Sequence, residues 1–150
     1  DTGINSGYMI LQYTTAALAS ENKGLCFPSS ADSIPTSLGQ EDHVSMGSIG
    51  GRKALQVIGN VEKILAIELL TASQAFEFRK PMKSGIFLDE IHKEVRKKVA
   101  FAKKDRVFSD DIEKGIEMIK DKTIIKVIER VKKKKKLKFQ VPYSKEFDNY

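Results

Sequence analysis

The order of apolar and polar side chains reads as a series of helices interrupted by one long irregular stretch. Residues 7–23 contain no proline and one glycine, at their start. Met9, Leu11, Ala16, Ala17, Leu18 and Ala19 leave almost no polar face before Ser20. A helix apolar on nearly all sides has to be covered by other protein. Ser20, Glu21, Asn22, Lys23 and Gly24 then supply a polar end, with the glycine as the expected stop. Residues 46–79 read as one long helix. Ile58, Val61, Leu65, Ala72 and Phe76 follow helical spacing, and Ile67, Leu70 and Ala75 carry apolar character round the other side. About thirty helical residues span roughly 45 Å, more than a globule of this size needs. The pattern therefore predicts neighbours that this chain alone does not provide, as in a helical bundle shared between subunits. Glu68, inside an otherwise apolar run, reads as a carboxylate on the one wet face, with a buried interface ion pair as the alternative.

Lys80-Pro81 ends that helix, because the residue before proline resists the α region. A third helix is expected over 84–101. Ile86, Asp89, Glu90, Lys93, Glu94, Lys97 and Lys98 give it a charged face, with acids early and bases late, which complements the helix dipole. Ser109-Asp110-Asp111 reads as the cap of a fourth helix, with Glu113 near the offset of a capping box. A fifth is expected from Thr123 to about Lys136. The expected fold class is all-α, with long helices forming part of a multi-subunit helical bundle.

Residues 26–45 break the pattern. Two prolines, one glycine and five serines punctuate this span. Irregular stretches of this length are uncommon inside compact domains and are often functional.

Composition narrows the class. A chain of 150 residues is about one domain. The single cysteine, Cys26, makes an intramolecular disulfide impossible and excludes a stapled secreted scaffold. No apolar run is long enough for a transmembrane helix, and no secretory leader pattern is seen. A cytoplasmic location, with no membrane partner, is the expectation. The charge is uneven: residues 1–75 carry a net −3 and residues 76–150 a net +9. A basic nucleic-acid binder is expected to carry its charge on its folded core, so this division argues against a nucleic-acid partner. The chain opens Asp1-Thr2-Gly3-Ile4 without methionine, which reads as a cut inside a larger polypeptide.

Gln40-Glu41-Asp42-His43 gathers an amide, two carboxylates and an imidazole at the mouth of the long helix. Such a group can hydrogen-bond a polar ligand or move protons. It lacks the i, i+4 partner of a helical zinc motif, and the other imidazole, His92, lies on the charged third helix, so no metal site is expected. Cys26 has apolar flanks and no adjacent base, as for an inert structural thiol. The bland alternative is a polar loop capping a helix, with Ser45 or Asp42 bonding free N–H groups.

The segments S-G-Y-M-I-L-Q-Y-T-T-A-A-L-A-S-E-N-K (6–23), D-S-I-P-T-S (32–37) and Q-E-D-H-V-S-M-G (40–47) resemble the histidine ammonia-lyases, a branch of the aromatic amino acid lyase family. G-R-K at 51–53 and L-A-I-E-L-L at 65–70 add to the likeness, which covers about 6–112, is strongest in 6–79, and fades beyond about 120. It implies the C-terminal portion of a mainly helical homotetramer that eliminates ammonia from L-histidine to give trans-urocanate. It also implies residues 1–104 as lyase body, with active-site loop 26–45, and 105–150 as a basic helical tail. The family's electrophile is a methylidene-imidazolone (MIO) group formed from an Ala-Ser-Gly tripeptide in an earlier part of the chain. No such tripeptide occurs here, since Ala19-Ser20 precedes Glu21 and Ala72-Ser73 precedes Gln74. The catalytic Tyr and the Arg that grips the substrate carboxylate also belong upstream. The piece alone is therefore expected to be inactive and prone to self-association.

By the same resemblance Glu41 is the catalytic and substrate-binding carboxylate, facing the substrate's imidazole and amine. Orienting the imidazole and accepting a proton both remain open to it. Gln40 is a second substrate-binding candidate, and Asp42 and His43 are expected to hold the loop from behind. Leu38-Gly39 stands where the family more often has Ala-Asn, which alters the local hydrogen bonding. Relatives acting on Phe or Tyr tend to place Gln at the position of Glu41. An apolar ring offers no N–H to a carboxylate, and an unpaired buried charge costs several kcal/mol, so the Glu favours an imidazole substrate. A lyase or aminomutase acting on another aromatic amino acid is the near alternative. A non-catalytic scaffold working through Lys132 to Lys136 and Lys138 is the distant one. With only Phe139 beside those lysines there is no stacking platform for single strands, and a solvated helix end is the plainer reading.

Overall fold

The computed structural model describes residues 4–31, 33–44 and 47–136. Among these there are five α-helices, two single 3-10 turns and no strand: α1 (Met9–Leu25), α2 (Gly47–Glu77), α3 (Ile86–Lys98), α4 (Phe108–Lys120) and α5 (Thr123–Lys135). The fold is all-α, as the periodicity predicts. The 31-residue α2 is its spine, and the other helices pack along or beyond it.

α1 lies on the first half of α2. Their contact is fixed by Asn60, buried on α2, whose Nδ2 donates to Glu21 Oε2 at 2.7 Å and to Asn22 Oδ1 at 2.9 Å. The polar end of α1 is thus a clamp rather than a solvated stop. Gly24 does not end the helix, which continues through Leu25. α4 crosses the middle of α2 at Gly115, where a Cβ would stand 3.1 Å from that of the buried Ala66. Absence of a side chain there permits the close approach. α3 and α5 pack together, tied at the surface by Arg130 Nη2 donating to Glu94 Oε2 at 3.0 Å. The core is Leu70, Val95, Val99 and Met118, with Tyr8, Leu69, Ile91, Ile112 and Ile124 against it. It draws on α2, α3 and α4, so packing runs continuously across the expected line at residues 104 and 105.

Three local expectations need correction. The third helix starts at Ile86 and ends at Lys98, inside the expected 84–101. Ser84 lies outside it, and its backbone N–H is taken by Asp89 Oδ1 at 3.1 Å. Ser109 does not cap α4. The helix begins one residue earlier, at Phe108, after an extended Val107, with no side-chain cap. Asp111 is buried and turned to Arg106, whose Nε donates to it at 2.7 Å. Cys26, despite its apolar flanks, is exposed.

Large apolar side chains stay uncovered on α1 and α2. Tyr13 and Leu55 are each 71% exposed, and Met9, Ile10, Ile58, Val61 and Leu65 are exposed as well. Only Leu11 of α1 is buried. The sequence pattern anticipates this: α1 is apolar on more faces than one neighbouring helix can cover. Glu68 is exposed on this chain alone. Among the described residues no helix is long and apolar enough to cross a membrane.

Candidate functional site

The irregular segment begins where α1 ends. Lys53 on α2 donates its Nζ to the Phe27 carbonyl and lies 5.8 Å from the Phe27 ring centroid. Ser29, in the first 3-10 turn, rests on Gly50 with its Cβ 3.7 Å from the place a glycine side chain would begin. These contacts seat the base of the segment on the first turns of α2. Beyond them the chain projects outward, and every described residue from 33 to 43 is exposed.

The projecting part is a small hairpin. The Thr36 N–H donates to the Glu41 carbonyl at 2.8 Å, and the Glu41 N–H donates back to the Thr36 carbonyl at 3.3 Å. The tip is the second 3-10 turn, Ser37–Gly39, closed by Gly39 N–H to Thr36 O at 3.1 Å and Gln40 N–H to Ser37 O at 3.2 Å. Ser37, Leu38 and Gly39 all have positive φ, at 53°, 58° and 84°. Glycine suits this region and the other two do not. Below the Thr36–Glu41 pair, the Ser33 hydroxyl donates to the Asp42 carbonyl at 3.2 Å and accepts the Val44 N–H at 3.1 Å.

The hairpin gathers Gln40, Glu41, Asp42 and His43 on one exposed limb. Among the described residues none of these four side chains makes a hydrogen bond, so all are open to a ligand or to further protein. Asp42 takes part in holding the limb through its main-chain carbonyl. Asp32, Ser45 and Met46 lie outside the described residues, so the proposed Ser45 cap does too, as do Lys138 and Phe139 in the basic tail. No cluster of three or more His, Cys, Asp or Glu side chains among the described residues could hold a metal ion.

A second polar centre was not legible in the sequence. Glu77, in the last turn of α2, receives Arg96 Nε at 2.9 Å and lies 2.9 Å from His92 Nε2, both from α3, and it pairs with Lys80. Arg96 also donates to the Ser73 carbonyl at 2.8 Å and the Val99 carbonyl at 3.1 Å. The His92 ring sits 4.8 Å from Phe76, with Nδ1 buried and unpartnered among the described residues. The Lys80 ammonium first, then Arg96 and His92 against the opposing effect of burial, hold the Glu77 carboxyl down to about 2. This centre joins α2 to α3. The periodicity that places His92 on a charged helix gives no sign of it.

The sequence pattern of the family described as aromatic amino acid lyase matches residues 1–97. Over 130 residues the chain is 49% identical to the histidine ammonia-lyase of Natranaerobius thermophilus, covering 87% of this chain and 26% of that one. Over 126 residues it is 54% identical to the histidine ammonia-lyase of Caldanaerobacter subterraneus subsp. tengcongensis, covering 84% and 25%. The crystal structure of histidine ammonia-lyase from Trypanosoma cruzi superposes with a TM-score of 0.83 at 42% identity, over 87% of this chain and 26% of that one. The tyrosine aminomutase of Streptomyces globisporus superposes with a TM-score of 0.81 at 34% identity, over 87% and 25%. The chain therefore spans about a quarter of the length of these relatives.

Proposed function

This chain belongs to the aromatic amino acid lyase family, and from that premise we propose that it supplies the C-terminal part of a cytoplasmic histidine ammonia-lyase. Identity of 42% to a histidine ammonia-lyase against 34% to a tyrosine aminomutase, each superposed over 87% of this chain, carries this reading, with 49% and 54% to two further histidine ammonia-lyases in agreement. The substrate is L-histidine. The reaction breaks the bond between Cα and the amine, removes a β-proton and leaves the double bond of trans-urocanate. The uncovered apolar faces of α1 and α2 fit a homotetramer built on shared helices.

The family's MIO group supplies an electrophile when present. These 150 residues contain no Ala-Ser-Gly, so they cannot form it. What this chain offers is one wall of the site. Glu41 projects from a hairpin whose backbone is paired at that residue, with its side chain open to solvent on this piece. Its carboxylate accepts an N–H from the substrate imidazole, a charge-assisted hydrogen bond that fixes the ring relative to the scissile bond. Gln40 is the second polar group on the same limb. Asp42 and His43 lie at its root, where Asp42 ties the limb through its main-chain carbonyl and both side chains stay open.

Glu41→Gln in the complete enzyme tests this. Turnover of histidine, followed by the ultraviolet absorbance of urocanate, is expected to fall at least ~100-fold. Turnover within a few-fold of the parent would remove Glu41 from the site. The tyrosine aminomutase likeness supports the second reading, a lyase or aminomutase of another aromatic amino acid. Preference of the unaltered enzyme for tyrosine over histidine would establish it.

A further inference from the structure

We propose that Ser33 is a positioning residue that sets the direction of the Glu41 carboxylate, an inference that rests on the role assigned to Glu41 above. The described residues 33–43 are all exposed on this chain, so the ties that this chain itself supplies to the hairpin are hydrogen bonds. Its tip is a poor anchor, because two of its three positive-φ residues, Ser37 and Leu38, are not glycine. The Thr36–Glu41 pair holds one point of the limb. The second point is Ser33. Its single hydroxyl uses both its donor and its acceptor capacity, on the Asp42 carbonyl and the Val44 N–H. Those two groups flank His43, so the hydroxyl specifies the register of residues 42–44 against residue 33.

Register matters here for a geometric reason. The backbone at 42–44 follows directly on Glu41, so where the Ser33 hydroxyl holds it sets the angle at which the limb presents the Glu41 side chain. Glu41 is itself half of the upper tie and lies one residue from the lower one. Loss of the lower one lets the limb pivot about Thr36, and the carboxylate moves away from the imidazole it has to meet. A misplacement of about 1 Å of a group that orients a reactant is enough for a large loss of rate.

Ser33→Ala in the complete enzyme is expected to lower kcat by ~10-fold with little change in KM. Thermal midpoint and oligomer size should match the parent. Ser33→Thr keeps the hydroxyl and is expected to restore most of the rate. In a Glu41→Gln background, Ser33→Ala should bring no further loss, because a residue acting through Glu41 has nothing left to position. Parent-like kcat in Ser33→Ala would overturn the proposal while leaving Glu41 untouched. A loss that Thr does not restore, or that persists in full in the Glu41→Gln background, would also overturn it, as a merely structural effect. Near-normal turnover of Glu41→Gln alone would instead overturn the underlying assignment of Glu41, and this proposal with it.

Discussion

Replacing Glu77 by glutamine keeps the shape of the side chain and one acceptor oxygen but removes the charge on which three cationic or ionisable groups converge. The Glu77 side chain is 15% exposed, and Arg96 beside it equally so, while Lys80 is 62% exposed. The folded-state value is about 2 against an ordinary 4.5, which corresponds to a ceiling of about 3 kcal/mol at neutral pH. Lys80 is the largest cause, and an ion pair to so exposed an ammonium is screened and contributes at most ~1 kcal/mol. We therefore expect Glu77→Gln to destabilise the chain by about 2 kcal/mol at pH 7. The folded-state value is depressed, so this stabilisation is complete above the unfolded value of 4.5 and is lost as pH falls towards about 2. At pH 3 less than half of it should remain. The assay is urea unfolding, followed by far-ultraviolet circular dichroism, of parent and variant at pH 7 and pH 3. The gap between them should shrink from about 2 to below about 1 kcal/mol. A gap that is negligible at pH 7, or as large at pH 3 as at pH 7, would refute the view of Glu77 as the ionised link between α2 and α3.

Two further outcomes follow from the packing. Gly115→Val places a branched side chain where even a Cβ would be 3.1 Å from that of Ala66. It should cost about 2–3 kcal/mol in the same unfolding measurement, and an unchanged midpoint would show that α4 does not press on α2 there. Asp105 accepts the backbone N–H groups of Ser6 at 2.6 Å and Gly7 at 2.8 Å, at the approach to α1. Asp105→Ala should speed amide hydrogen exchange over residues 6–12 while leaving α2 protected, and equal rates in parent and variant would dismiss this tie.

The sequence by itself determined much of the secondary structure. Helical spacing of Ile58, Val61, Leu65, Ala72 and Phe76 lies within near neighbours along the chain, so α2 was readable almost to its ends. The proline and serine density of 26–45 marked the projecting segment for the same local reason, and the order Gln40-Glu41-Asp42-His43 marked its chemistry. Ends and partners were different. Ser109 has the right residue type for a cap, but Asp111 is drawn to Arg106 and the helix starts a residue early. The polar end of α1 reads as a stop, yet Asn60, 38 residues on from Asn22, is its partner. Glu77, His92 and Arg96 meet only because α3 folds back on α2, and Ser33 meets Asp42 and Val44 only because the hairpin closes. Periodicity is written in residues three or four apart, whereas the meeting of charged and polar groups depends on how helices cross, which only the tertiary structure decides.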